Sequence, residues 1–320
     1  MAKYKVVVSD NRHGDYSIET GILKKCDAQV VVENCMTEED MMEKCKDADG
    51  ILLDMAPMSK KVAGVLEKCK IVSRYGVGYD NVDIEACTKK RIYVSNVPDY
   101  CKEDVSDLAL AHLLACVRGV ATKDRQIREG GWNLGRENVF RIKGKTLALL
   151  GFGRISRCLF KKISGFGLKE VLVYDPYLSK EVIEQTGAKK VDFETALKQA
   201  DYISLHMPLT SETRGIIDKK AFSIMKKTAI LINTSRGPLI DDEALIDALK
   251  NKKIAFAGLD TYNVEPLPRD SPLKKLDNCV LTDHTGFNTQ EAIIELKTKA
   301  ACNVRDVLEG REPKYWINKF

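Results

Sequence analysis

Lys145–Arg157 reads K-T-L-A-L-L-G-F-G-R-I-S-R, and Val171–Pro176 reads V-L-V-Y-D-P. The apolar run Thr146 to Leu150, flanked by glycines, has the length of a strand buried in a parallel sheet. Gly151, Gly153 and Ser156 follow at the spacing of a dinucleotide fingerprint, with Ser in place of the third glycine. In that reading Gly151 makes the tight turn and Gly153 lets a pyrophosphate approach the backbone. Phe152, Arg154 and Ile155 complete the loop and open the helix, whose unpaired N–H groups and positive dipole end suit an anion. Asp175 closes the second stretch about 20 residues on, where a carboxylate accepts hydrogen bonds from a ribose 2′-hydroxyl. Like charges about 4 Å apart oppose each other by roughly 4 kcal/mol near a protein surface. With only Pro176 and Tyr177 following, a 2′-phosphate is disfavoured and NAD is expected over NADP. The glycines alone also fit an ordinary strand–turn–helix; Asp175 and the flanking elements favour the cofactor.

The 320 residues suggest two domains, each large enough for a core. With 44% hydrophobic and 30% charged residues, the composition is that of a soluble globular protein. The net charge of +5 is interspersed rather than clustered, which argues against nucleic acid as a partner. Met1 leads almost at once into the strand-like Tyr4-Lys5-Val6-Val7-Val8, and there is no apolar run of about 18 residues. Neither a leader nor a membrane span is expected, and the chain reads as cytoplasmic. The ten cysteines contain no C-x-x-C pair, the closest being Cys26 and Cys35, and read as buried free thiols. The four histidines lack metal-ligand spacing, so no metal is expected.

Strand and helix patterns alternate through the first hundred residues. Lys5 to Val8, Gln29 to Glu33, Ile51 to Leu53, Ile71 to Arg74 and Ile92 to Val94 are predicted strands. Thr37 to Ala48 is a predicted helix, opened by Thr37 with Glu39 and Asp40 in its first turn. Such alternation implies a parallel sheet covered on both faces, a small doubly wound domain. After the fourth strand, Gly76 and Gly78 either turn backbone N–H groups toward an anion or simply make a turn. Asn96 to Tyr100 marks the crossing to the second domain. A predicted helix from about Glu103 to Arg118, and another broken by Gly130-Gly131-Trp132, pack on a partner subunit or in a core of their own.

Beyond Asp175, Tyr202 to Met207, Thr228 to Thr234, Ile254 to Leu259 and Cys279 to Thr282 are predicted strands, and Asp241 to Leu249 a predicted helix. The last helix is expected to start near Asn288, paired with Glu291 in a capping-box-like way, and to stop at Gly310. Arg236, Glu265 and His284 each follow a strand end, where open α/β sheets bind ligands. Arg gives a planar fork for a carboxylate, and His exchanges protons near neutral pH. A carboxylate beside an imidazole orients it. Singly, these residues also read as a surface turn, a solvated loop and a satisfied histidine. Their joint placement points to a site.

The ordered blocks S-R-Y-G-V-G-Y-D-N-V-D from Ser73, G-F-G-R-I-S from Gly151, H-M-P-L-T-S-E-T from His206, I-N-T-S-R-G-P-L-I-D from Ile232, G-L-D-T-Y-N-V-E-P from Gly258 and H-T-G-F from His284 span the chain. With them the sequence resembles the D-isomer-specific 2-hydroxyacid dehydrogenases. N-V-P-D-Y-C from Asn96, D-V-S-D-L-A-L-A-H-L-L from Asp104 and Phe287 look most like the bacterial branch named after C-terminal-binding proteins. The resemblance implies two doubly wound parallel-sheet domains: a Rossmann NAD domain, 102–287, inserted into a discontinuous flavodoxin-like substrate domain, 1–101 and 288–320. It also implies a homodimer built through the inserted helices and a small 2-oxo or 2-hydroxy acid as substrate. By motif position, His284 is the acid/base, Glu265 its partner, and Arg236 binds the substrate carboxylate and carbonyl. Amides of Gly76 and Val77 hold the carboxylate. Asp260 lies near the nicotinamide, and His206, Pro208, Thr234 and Ser235 line the cofactor. Thr213 and Gly286 complete that set.

Asp54 stands where the similar phosphoglycerate dehydrogenases place an arginine for the substrate phosphate, which disfavours a phosphorylated substrate, although Arg74 remains as an anion contact. The end at Phe320 leaves no room for the regulatory domain of longer members, and Glu265 argues against formate dehydrogenase, which has Gln there. Met55, Tyr79, Tyr100 and Phe287 are candidates to shape the pocket for the substrate side chain. Two alternatives stand beside the reductase: phosphoglycerate dehydrogenase activity, and an NAD-sensing binding protein with little turnover.

Overall fold

A computed structural model describes residues 2–132 and 139–320 and divides into two compact units, Met1–Tyr100 with Thr289–Phe320, and Cys101–Asn288. In the first unit, β1 (Tyr4–Val8), β2 (Ala28–Val32), β3 (Gly50–Leu53), β4 (Ile71–Arg74) and β5 (Tyr93–Ser95) form a parallel sheet in the order β2-β1-β3-β4-β5. The strand order reverses between β1 and β3, which makes their carboxyl ends the crevice of this sheet. Val7, Ile51, Leu53 and Val72 share a core with Met41 and Val62 from the covering helices. Thr37 opens the Glu38–Lys44 helix through a full capping box with Asp40. That helix stops at Lys44, short of the expected Ala48.

The Gln290–Leu308 helix belongs to this first unit. Its Val304 Cγ1 lies 3.0 Å from where a Cβ on Gly50 would sit, and Ser73 Oγ donates to the Ala300 carbonyl (3.1 Å). The helix begins one residue later than a cap at Asn288 would place it. Thr289 is the cap, accepting from Ala292 N–H at 3.1 Å, while Asn288 N–H closes a turn onto Thr285 O.

In the second unit, β6 (Thr146–Leu150), β7 (Glu170–Tyr174), β8 (Lys189–Lys190), β9 (Tyr202–Leu205), β10 (Ile230–Asn233), β11 (Phe256–Leu259) and β12 (Cys279–Leu281) make a seven-stranded parallel sheet. Its order, β12-β11-β10-β9-β6-β7-β8, is the doubly wound Rossmann order with one added strand, and the switch point lies between β6 and β9. The Lys102–Arg118 helix buries Ala109, Leu113, Cys116 and Val117 in one core with Leu147 and Leu149 of β6, so it has a core role within its own unit. The Val120–Arg128 helix buries no residue. Among the described residues no single helix is long and apolar enough to cross a membrane. All ten cysteines are free, and burial pushes Cys69, Cys87 and Cys279 up to about 12, which leaves them poorly nucleophilic.

Leu149 is wholly buried in β6. Leu149→Ala should cost about 2–5 kcal/mol through lost contacts and the cavity left behind. The check is urea unfolding, where the midpoint should fall without a change of slope.

Candidate active site

β6 runs into the glycine loop at Gly151, whose φ is +91°. A Cβ there would lie 2.7 Å from the His206 carbonyl oxygen and 2.9 Å from Met207 N, so the His206–Met207 peptide reserves the position for glycine. Gly153 caps the Arg154–Ile163 helix, with no side chain bonded to the first-turn amides and open space where its Cβ would be. This cradle fits an anionic pyrophosphate, since the amides of the Arg154 and Ile155 turn lack intrahelical partners. Phe152 is buried, with its N–H given to Asp175 Oδ2 at 2.9 Å. Asp175 Oδ1 accepts from the amides of Tyr177 (2.9 Å) and Leu178 (3.1 Å). The carboxylate is thus pinned at the end of β7 beside the glycine turn, and lone-pair capacity remains for ribose hydroxyls.

Other residues of the expected cofactor lining divide by role. Ser235 Oγ and Thr213 Oγ1 are committed to the carbonyls of Met207 and Pro208, both at 2.7 Å, and so shape the loop after β9. Thr234 Oγ1 is buried without a hydrogen-bond partner among the described residues. His206 Nε2 pairs with Ser204 Oγ at 2.8 Å, and burial pushes this histidine down to about 4, so it is neutral at physiological pH. Burial also lowers His112 and His13.

His284 sits on the loop after β12. Its side chain keeps 34% exposure, and Nδ1 lies 2.6 Å from Glu265 Oε2. Its φ of +57° is unusual for a non-glycine residue and aims the ring from the loop after β12. Glu265 Oε1 accepts from Tyr262 N–H at 2.9 Å. Burial opposes ionisation of Glu265, but the His284 bond, the Tyr262 amide and the charges of His284 and Arg236 hold it below the usual carboxylate range. An ionised carboxylate only accepts, so His284 Nδ1 carries the hydrogen and Nε2 is left for chemistry. Arg236 enters from the turn after β10. Asn233 Nδ2 holds its carbonyl at 2.9 Å, and a Cβ on Gly237 would fall 2.0 Å from the Tyr262 carbonyl carbon, so this turn packs directly on the segment carrying Glu265. The structure therefore brings together an Arg, a Glu and a His from three neighbouring strand ends. Phe287 adds an edge-on ring contact to His284, with centroids 6.0 Å apart. Asp260, buried at the end of β11, takes the amides of Thr285 and Gly286, both at 3.0 Å.

In the first unit, the expected pair of carboxylate-holding amides is reduced to one. Gly76 N–H turns back onto the Arg74 carbonyl at 3.0 Å, closing a three-residue turn about Tyr75. The Arg74 guanidinium lies over Gly76, where a Cβ would meet Nη1 at 1.5 Å. Val77 N–H has no acceptor among the described residues. Met55 is half exposed and Tyr100 buried. Asp54 does not stand alone as a negative group: Arg12 Nη1, His13 Nε2 and Arg74 Nη2 approach it at 3.6, 3.8 and 3.9 Å. Burial pushes its carboxyl up while these groups pull it down. Asp10, just beyond β1, accepts the amides of Asp54, Met55 and Ala56 and so sets the loop. Arg12, His13 and Asp10 went unnoticed in the sequence. Their signal is position, directly after the strand that borders the switch point. Among the described residues no group of three or more His, Cys, Asp or Glu side chains is placed to hold a metal.

A family model described as D-isomer specific 2-hydroxyacid dehydrogenase, NAD binding domain, matches residues 110–286. A glyoxylate reductase of Thermococcus litoralis is 42% identical over 287 residues, covering 87% of this chain and 86% of that protein. A D-3-phosphoglycerate dehydrogenase of Methanocaldococcus jannaschii is 39% identical over 98% of this chain, which spans only 59% of that protein's length. Among solved structures, a glyoxylate reductase from Paecilomyes thermophila superposes with a TM-score of 0.89 at 28% identity, covering 99% of each chain. A D-lactate dehydrogenase with NAD+ from Lactobacillus jensenii gives 0.80 at 27% identity, covering 98% of this chain and 100% of its own.

The depressed pKa of Glu265 has a sign that can be tested. A carboxyl held lower when folded than when unfolded stabilises the fold above its unfolded pKa, and that stability is lost as pH falls through the folded value. Glu265→Gln should therefore melt lower than the parent at about pH 7, with the difference shrinking only as pH falls below the ordinary glutamate value, as followed by calorimetry.

Proposed function

The chain belongs to the D-isomer-specific 2-hydroxyacid dehydrogenase family and carries its NAD-binding domain, and from that premise we propose that it interconverts a 2-oxo acid and a D-2-hydroxy acid. The observation that carries this reading is the His284–Glu265 pair beside Arg236 at three adjacent strand ends. Gly151, Gly153 and the amides opening the Arg154–Ile163 helix would hold the pyrophosphate of NAD, and Asp175 its ribose. When bound, NAD supplies or takes up the hydride at C2 of the substrate. Arg236 binds the substrate's carboxylate and carbonyl and stabilises the negative charge that grows on oxygen during reduction. His284 gives the proton on Nε2 to that oxygen and recovers it in the reverse direction. Ionised Glu265 keeps the ring in the tautomer that leaves Nε2 facing the substrate. Within the first unit, Val77 N–H and Arg74 form an anion-binding corner of their own.

For the substrate, we favour a small unphosphorylated oxo acid, on the acidic Asp54 and the likeness to glyoxylate reductases. A phosphorylated substrate is the second reading. It is favoured by Arg12, His13 and Arg74 gathered around Asp54, and by the likeness to phosphoglycerate dehydrogenases. Kinship to the branch named after C-terminal-binding proteins rests on Asn96–Cys101 and on Phe287 beside His284. Ten free thiols support a reducing, cytoplasmic location. A homodimer through the Val120–Arg128 helix is supported by exposed Val120 and Ile127 on it and by Trp132, 82% exposed, just beyond. Light scattering should give a mass about twice the chain's 35.8 kDa.

Turnover is the direct test. NADH oxidation should be fast with one member of a panel of glyoxylate, hydroxypyruvate, pyruvate, and branched or aromatic 2-oxo acids, and slow with NADPH. Preference for phosphohydroxypyruvate would favour the second reading, and tight NADH binding without turnover would favour a binding protein. His284→Ala should lower kcat by about 10²–10⁴-fold while NADH still binds. Unchanged turnover in that variant would remove the assignment of His284.

A further inference from the structure

The left-handed residue His284 is followed by two amides that end on one buried carboxylate. Asp260, only 1% exposed, accepts from Thr285 N–H on Oδ1 and from Gly286 N–H on Oδ2. A further donor reaches Oδ1, the Thr282 hydroxyl, at 2.6 Å. Thr282 has a single hydroxyl hydrogen, so its oxygen must accept from any other group bonded to it. That group is Nε2 of His112, at 2.9 Å, on the Lys102–Arg118 helix. The order of donors therefore gives His112 the Nε2–H tautomer. Its Nδ1 is buried with no partner among the described residues, and protonating it would bury an unpaired charged donor.

The backbone makes room for this arrangement in two places. A Cβ on Gly258 would lie 2.9 Å from His112 Cβ and 3.0 Å from its Nδ1. On Gly286 a Cβ would lie 3.0 Å from Asp260 Oδ2. A strand residue and a loop residue thus both go without side chains where the imidazole and the carboxylate need the space.

We propose that His112 and Thr282 are positioning residues, a one-way hydrogen-bond relay that fixes Asp260 and, through the amides of Thr285 and Gly286, the loop presenting His284. The functional part of this rests on His284 being the group that exchanges the proton. Without the Thr282 hydroxyl, Asp260 keeps only backbone donors among the described residues. The loop after β12 then loosens, and with it the bond from His284 Nδ1 to Glu265.

The first test needs no substrate. The full chain carries four histidines, few enough to assign by single substitutions in a sample with nitrogen-15 in its histidine rings. His112 should show the neutral Nε2–H pattern, and an Nδ1–H or charged ring would overturn the relay even if the chain reduces oxo acids. Thr282→Val should lower kcat for the best oxo acid about tenfold, with KM for NADH held within about twofold. It should also remove the downfield proton resonance of the His284–Glu265 bond, which a purely structural loss elsewhere would leave in place. Thr282→Ser, which keeps the hydroxyl, should restore both. Full kcat with an intact resonance in Thr282→Val, or failure of the Ser variant to rescue, would sink the proposal. Should Thr282→Val not fold, His112→Gln against His112→Leu makes the same comparison, the first retaining a donor and the second none. If the parent turns over no oxo acid, the ring tautomer and the downfield proton still decide the relay, while the enzymatic reading fails separately.

Discussion

A carboxylate taken out of water must find donors, and the donors it finds decide what the surrounding chain can do. Asp260 is the sharpest case here. Its oxygens take two amides from the turn after His284 and one hydroxyl from the strand end before it. This requirement holds a non-glycine residue in the left-handed region, and that conformation sets where the imidazole starts. Glu265 completes the aim from the neighbouring loop. Its own position depends on the Tyr262 amide and on Gly237, whose missing side chain lets two backbone segments touch. The proposed acid/base is placed by buried polar geometry around it more than by its own contacts.

Much of this was legible in the sequence, for identifiable reasons. Buried parallel strands are continuous apolar runs, so Thr146–Leu150 and Ile230–Asn233 announce themselves, and a glycine pair after the first marks the turn. Strand ends carry function in such sheets, which is why Arg236, Glu265 and His284 stood out together. β8 did not, since Lys189–Lys190 is a two-residue polar edge strand with no apolar signature. At the last helix Asn288 and Thr289 are both good caps, and only the backbone geometry chooses between them. Gly76 looked like a donor because sequence shows that an amide exists and not where it points.

Two further features lay beyond sequence reading because they join residues far apart in the chain. A histidine on an apolar helix face, as at 112, looks like any buried residue until Thr282 is seen against it. Likewise the sequence sets only Arg74 beside Asp54 as an anion contact, and the fold adds Arg12 and His13. Charge logic applied to one position therefore covers only part of the neighbourhood. The field at a site belongs to all the charges the fold assembles, and only three-dimensional placement supplies that list.

The Gln290–Leu308 helix, packed on β3 and β4 of the first unit, also bears on how the protein is made. During synthesis the first hundred residues leave the ribosome with five strands and no last helix to cover Gly50 and Ser73. The unit at Cys101–Asn288 is contiguous and emerges complete. The unit that begins the chain is then the one to finish folding last, reversing the usual amino-terminal-first order of co-translational folding.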